Sequence, residues 1–247
     1  MTELVDYYVG IDIGQMKDYT AIAVIEEPVW VGSHDDYWQA MPTTEPGWVS
    51  PTTLNATQTV KARVLACQHG RPGRPDLHVR HLQRYELGTP YPVMIERIRG
   101  LMTRPPLAGR STLLVDATGV GLPVVDALRD AGLDLEAVTI TGGGKVTPVR
   151  GGWHVPKRDL IDSAQIALQS RRLVIAEGLP DTETLVRELQ DYRVEISEKT
   201  GHDSYNARTG AHDDLVLAVA LAVWFRDFYW MHWDRQAEAI GRPATMG

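Results

Sequence analysis

The chain has 247 residues, of which 43% are hydrophobic and 23% charged, and a net charge of −7. That balance describes a globular protein with one sizeable α/β core and excludes a disordered or fibrous chain. The single cysteine, Cys67, excludes a disulfide framework and a cysteine-cluster zinc site, and the acidic balance argues against a protein that coats nucleic acid non-specifically.

Tyr7 to Glu27 reads as two strands joined by a tight turn. Val9, Ile11 and Ile13 alternate with Gly10, Asp12 and Gly14, the period of a strand, which sets Asp12 in the middle of the first strand. A carboxylate there needs a cation, a hydrogen-bond partner or a raised pKa; tying down a turn is its structural alternative. Residues 28–51 form a long irregular stretch with Trp30, Tyr37, Trp38 and Trp48, which could stack on bases or pack as a lid. Residues 52–67 have helical spacing, HGRPGRP at 69–75 breaks it, and Leu77 to Leu87 alternates as a third strand. Tyr91 to Met102 is an amphipathic helix with Val93, Met94, Ile98, Leu101 and Met102 available for a core face.

Ser111 to Thr118 is a buried strand with Asp116 at its C-terminal end, followed by a helix from Leu122 to Ala131 that Gly132 closes. Leu135 to Thr141 is the next strand, leading into TGGGK at 141–145. Val155 to Arg171 reads as a helix, Leu173 to Ala176 as a short strand, Thr182 to Tyr192 as a helix, and Arg193 to Asn206 as a hairpin. Ala211 to Tyr229 is a strongly apolar helix whose first turn holds Asp213 and Asp214, acids that also suit the positive end of a helix dipole. The tail from Trp233 to Gly247 is polar and is expected to be loose. Hairpin strands followed by strands alternating with helices give a central mixed sheet flanked by helices, in a single domain.

Between Lys61 and Arg110 ten Lys/Arg face three acids, a local charge of +7 that could steer a phosphate backbone to one face or simply be a solvated surface. No basic and apolar leader opens the chain, and its longest apolar run, Leu215 to Phe225, is too short to cross a bilayer, so an intracellular setting is expected.

Asp12, Asp116 and Asp213-Asp214, with Asp18 on the turn after the first strand, form a set of carboxylates that one sheet could bring to one edge. Hard oxygen ligands of this kind suit Mg²⁺ or Mn²⁺. Two such ions roughly 3.5–4 Å apart can activate water and stabilise the leaving oxygen in phosphodiester hydrolysis.

GIDIGQMKDYTAI, VDATGVG, VPKRDLI and above all GHDSYNARTGAHDDLVLAVALA resemble the nuclease domain of tailed-phage terminase large subunits, which has the ribonuclease H/retroviral-integrase fold. The resemblance runs from about Tyr7 to about Phe228. It implies Asp12 and Asp116 as metal ligands, a third ligand from Asp213 or Asp214, and Asp18 as an additional acid. His212 then either supports a ligand or caps the helix, and Lys157 either contacts a phosphate or is solvated. The implied activity is two-metal cleavage of concatemeric double-stranded viral DNA during packaging, in the cytoplasm of a bacterial host, alongside an ATPase motor, a portal and a small terminase subunit. GGGK at 142–145 is not a P-loop, because Val146 follows the lysine and the first glycine of that motif is missing. An excised nuclease domain or a nuclease encoded apart from its motor is therefore expected. Two other readings remain: an actin-like or sugar-kinase-type ATP-binding protein, which also opens on GIDIG, and a non-catalytic DNA- or portal-binding module of the same fold.

Overall fold

A computed structural model describes residues 4–14, 18–29, 76–119, 121–198 and 212–239. They form one eight-stranded mixed sheet with helices on both faces. In chain order the elements are β1 (Leu4–Asp12), β2 (Ala21–Val29), β3 (Leu77–Arg84), α1 (Tyr91–Met102), β4 (Ser111–Asp116), α2 (Gly121–Asp130) and β5 (Glu136–Thr141). There follow β6 (Thr147–Val149), β7 (Gly152–Pro156), α3 (Lys157–Gln169), β8 (Leu173–Ile175), α4 (Thr182–Glu198) and α5 (Asp214–Ala239). Strand order is β6-β7-β5-β4-β1-β2-β3-β8. β1, β2 and β3 run as an antiparallel meander, and β4 and β5 continue from β1 in parallel. This is the α/β architecture, a mixed sheet flanked by helices, that the ribonuclease H resemblance implies.

The two-residue period of β1 sorts its side chains between two cores. Tyr7, Val9, Ile11 and Ile13 join the apolar layer under α1 and α2, while Tyr8 belongs to the layer under α3, α4 and α5. Gly10 shares the face of Tyr8, and it lies so close to the Ala218 carbonyl of α5 that any Cβ would collide. That absence of a side chain lets α5 settle directly onto β1. Every side chain from Leu215 to Phe225 is buried, as expected of a helix that is apolar all round. α5 packs on β1 and β2 and against α3, so it is the central helix of its layer.

Several expectations change. β1 ends at Asp12, so this carboxylate sits at the strand's C-terminal end and not in its middle, and the connection to Ala21 is longer than a tight turn. β3 stops at Arg84, and its register shifts against β2 between Val24 and Ile25, which leaves Arg80 as the extra residue of a bulge. Val93 of α1 is exposed, while Met94, Ile98 and Met102 make its buried stripe. A β6–β7 hairpin precedes α3; Gly151, with φ 79°, makes its turn. α4 continues to Glu198, where a hairpin from Arg193 was expected, and α5 continues to Ala239, into the segment from Trp233 that was expected to be loose. A buried helix face at one end supports further turns beyond it, which local composition does not reveal. The aromatic-rich stretch from Trp30, the helix at 52–67 and the GHDS turn lie outside the described residues. No described helix is long and apolar enough to cross a membrane.

Candidate metal centre

Four strands place one row of side chains on the α5 face of the sheet. Asp12 pairs with Ala21 across β1–β2, and Ala21 pairs with Arg84 across β2–β3. Asp116 lies one residue beyond the Ile11↔Val115 pair of β1 and β4, level with Asp12. The row therefore reads Arg84, Ala21, Asp12, Asp116, with the small Ala21 leaving room between the guanidinium and the acids. Arg84 owes its place to the bulge at Arg80. Leu77 and Val79 face the α5 layer before it, and Leu82 faces the same layer after it, so the parity of the strand has switched. Without the bulge Arg84 would point to the other face.

The N-terminus of α5 closes over this row. Asp213 supplies the carbonyl that accepts the first helical bond, from Leu217 N–H at 2.9 Å, and Asp214 opens the helix. Lys157, the first residue of α3, donates from Nζ to Asp213 Oδ2 at 2.8 Å. Arg84 Nε stands 3.6 Å from Asp214 Oδ2 and its Nη1 3.4 Å from Glu188 Oε1. The guanidinium is stacked 3.7 Å from the Tyr19 ring centre, and the edge of that ring meets His212 at 5.1 Å. His212 Nδ1 is 3.8 Å from Asp214 Oδ2. Asp18 is exposed at the end of the β1–β2 connection, near enough for its charge to act on Asp214. Gly14 fits against the backbone of Asp18 and Tyr19 where a Cβ would not, and its N–H bonds Thr20 Oγ1 at 3.0 Å.

Electrostatics follow from this crowding. Asp12, Asp116 and Asp214 are each less than 10% exposed. Burial first, then the charges of Asp116, Asp214 and Asp213, push the Asp12 carboxyl well above the ordinary range. Hydrogen bonding between the two carboxyls adds to the rise of Asp12 and works against that of Asp116. Burial also raises Asp116, against hydrogen bonds from Thr118 and the charge of Lys157. Thr118 N–H donates to Asp116 Oδ1 at 2.8 Å, and Gly121 packs on the Asp116 carbonyl with no room for a Cβ, so the turn after β4 fixes this side chain. Burial raises Asp214 to about 6. Its Oδ2 is buried and accepts no hydrogen bond.

All seven residues singled out in the sequence gather at this one edge: Asp12, Asp18, Asp116, Lys157, His212, Asp213 and Asp214. Glu188 was missed. It is 4% exposed, its Oε2 accepts the N–H groups of Leu215 and Val216 at 2.9 and 3.1 Å, and burial raises its pKa to about 7. It caps α5 from another helix. The available signal was a charge at the core-facing position beside Leu185 and Leu189 of α4. Arg84 carried no such signal, because its aim depends on the bulge. The basic segment does not stand free: Arg80 pairs with Glu26 at 2.6 Å and Arg99 with Glu96 at 3.0 Å, while Arg84 serves the acids. Its members from Lys61 to Arg74 lie outside the described residues.

The acids offer only oxygen donors, and a buried Asp214 oxygen without a hydrogen bond stands beside the raised carboxyls of Asp12 and Asp116, so a hard divalent ion fits. Among the described residues no three acids or histidines are drawn together as a ready-made cage.

No family model and no curated protein matches the chain. Among solved structures, the large terminase nuclease from thermophilic phage G20c aligns over 88% of this chain and 81% of its own, with 17% identity and a TM-score of 0.49. The same nuclease with bound zinc aligns over 88% and 80%, with 17% identity and a TM-score of 0.46.

Proposed function

We propose that this chain is a metal-dependent endonuclease of the terminase type that cleaves double-stranded DNA. The observation that supports it best is the convergence of Asp12, Asp116, Asp213 and Asp214, from two strand ends and one helix N-terminus, with a buried excess of negative charge. A protein gains nothing in stability from such an excess; a divalent cation compensates it. Asp12 and Asp116 would hold the ion, with Asp213 or Asp214 and, in reserve, Asp18 completing its ligands; Mg²⁺ or Mn²⁺ suits this oxygen set. When bound, such ions activate water and stabilise the departing oxygen of a phosphodiester.

The chain's own groups have definable tasks in that reading. Thr118 and Gly121 lock Asp116 in place, and Glu188 locks the α5 terminus that carries Asp213 and Asp214. Lys157 and Arg84 are the cations nearest the acids and are suited to hold a DNA phosphate against them. Concatemeric viral DNA as substrate, with an ATPase motor, a portal and a small terminase subunit as partners in a bacterial cytoplasm, belongs to the same proposal. So does the organisation of the chain as one nuclease domain. The ATP-binding alternative has no comparable support: residues 142–145 are an exposed bend between β5 and β6 with no helix after them to receive phosphates.

Supercoiled plasmid incubated with Mn²⁺, Mg²⁺ or EDTA tests the proposal. Nicking and linearisation that require the metal and vanish in Asp116→Asn are expected. A folded protein inert in both metals would leave the DNA- or portal-binding module, and metal-dependent ATP turnover would favour the kinase-like reading.

A further inference from the structure

The glycine run at 142–144 does nothing for the packing of this fold. Gly10 and Gly121 are needed where a Cβ would strike backbone, and Gly151 where φ is 79°. Neither need exists in the run. Around Gly142 and Gly144 a Cβ would meet nothing within 4 Å, and at Gly143 it would make an ordinary contact with Thr141 Oγ1 at 3.5 Å. None of the three takes a positive φ. Consecutive glycines lose conformational entropy on folding, which nothing among the described residues offsets. The sheet fixes where the run stands. Asp116 pairs with Val138, so residues Thr139 to Thr141 carry β5 about 10 Å past the level of that acid. Thr141 pairs with Pro156, the residue before Lys157, and Val146 packs onto the α5 layer. Residues 142–145 are thus held at both ends and stand exposed above the edge where the acids gather, beside the start of α3. Among the described residues the exposed Lys145 has no carboxylate partner, whereas Lys157 is engaged by Asp213 at 2.8 Å.

We propose that residues 142–145 hold a backbone phosphate of duplex DNA on the β5 side of the acids, a phosphate other than the one that is cut. Without side chains at 142–144 the DNA backbone can come against the main chain, whose N–H groups then serve phosphate oxygens, and Lys145 supplies the charge. A single diester phosphate needs no helix N-terminus behind it, unlike the triphosphate of a nucleotide. The contact rests on the nuclease reading and adds to it a second point of attachment, which sets the direction of the duplex across the edge.

Fluorescence anisotropy of a labelled duplex oligonucleotide in Ca²⁺, read over a range of salt, tests the contact without any turnover. Lys145→Ala should bind roughly tenfold more weakly than wild type, with a salt slope shallower by about 0.9, the share of one phosphate. Lys145→Arg, which keeps the charge, should bind like wild type. Gly144→Val has free space for its side chain in the DNA-free protein, so its melting temperature should not fall while its affinity drops severalfold. Unchanged affinity and salt slope in Lys145→Ala, or unchanged affinity in Gly144→Val, would overturn the contact while leaving the nuclease standing. A folded wild type that binds no duplex would remove the nuclease reading, and the contact with it.

Discussion

The start and the middle of α5 bury charge in opposite ways. About 18 Å along the helix from Asp214, Arg226 is 1% exposed and donates to Glu27, and to Asp227 at 2.8 Å. Arg172 donates to Asp227 at 3.1 Å, so that among the described residues two cations meet two anions. Burial pushes the Asp227 carboxyl up, but hydrogen bonds from Arg172 and the charge of Arg226 outweigh it and hold the group below its ordinary value. At the N-terminus the same kind of groups carry an excess of negative charge, raised pKa values and an oxygen with no hydrogen bond. Balanced charge marks a structural tie; unbalanced charge marks a place that waits for a ligand. Burial alone does not distinguish them.

The sharpest way to separate the two stretches is to neutralise one charged group in each. Asp12→Asn or Asp116→Asn should lower DNA cleavage by roughly 10³-fold or more, the scale of several kcal/mol of lost charge stabilisation. The metal-free variant should melt no lower than wild type, because a repelling buried charge has gone. Near-normal cleavage, or a marked fall in melting temperature, would break the contrast. In the middle of the helix Arg226→Met leaves Glu27 buried without its guanidinium and should cost about 3–5 kcal/mol in urea unfolding. Its Mn²⁺ affinity, measured on the folded fraction, should stay that of the wild type.

Smaller effects test how the helix start is held. Glu188→Ala frees the Leu215 and Val216 N–H groups inside the protein and should cost about 1–2 kcal/mol, while Glu188→Gln, which still offers an acceptor oxygen, should keep most of that stability. Equal losses in the two variants would show that the charge of Glu188, facing Arg84, matters more than its cap.

The acidity of the two stretches predicts opposite pH dependences. Asp214, raised to about 6, and Glu188, raised to about 7, favour the folded protein when protonated. Their contribution is complete below their unfolded pKa values of about 4 and is lost as pH rises through 6 to 7. Asp227, with its lowered pKa, contributes above about pH 4 and is lost in stronger acid. The melting temperature of the metal-free protein should therefore fall by a few degrees between pH 5 and pH 8, and Mn²⁺ should restore it at pH 8. A flat profile over that range would mean that burial does not raise the carboxyls of Asp214 and Glu188.

Much of this could be read from residue order. The alternation of Val9, Ile11 and Ile13, the apolar run before Asp116 and the apolar stretch after Asp214 define strands and a helix by local pattern, and their acids were visible as exceptions to it, although Asp12 was expected in mid-strand and not at the strand's end. Those acids are the part of the candidate site that the sequence determined. Tertiary structure decided the rest. The bulge at Arg80 turns Arg84 onto the acidic face, Gly10 admits α5 against β1, and Glu188 reaches from α4 to cap a helix whose start lies 26 positions later. It also prolonged α4 and α5 beyond the residues whose composition announced them. The physical reason is the range of the forces. Hydrophobic periodicity acts within a few residues and is written in the sequence, whereas the neutralisation of one charge by another depends on distances that exist only after strands and helices have packed.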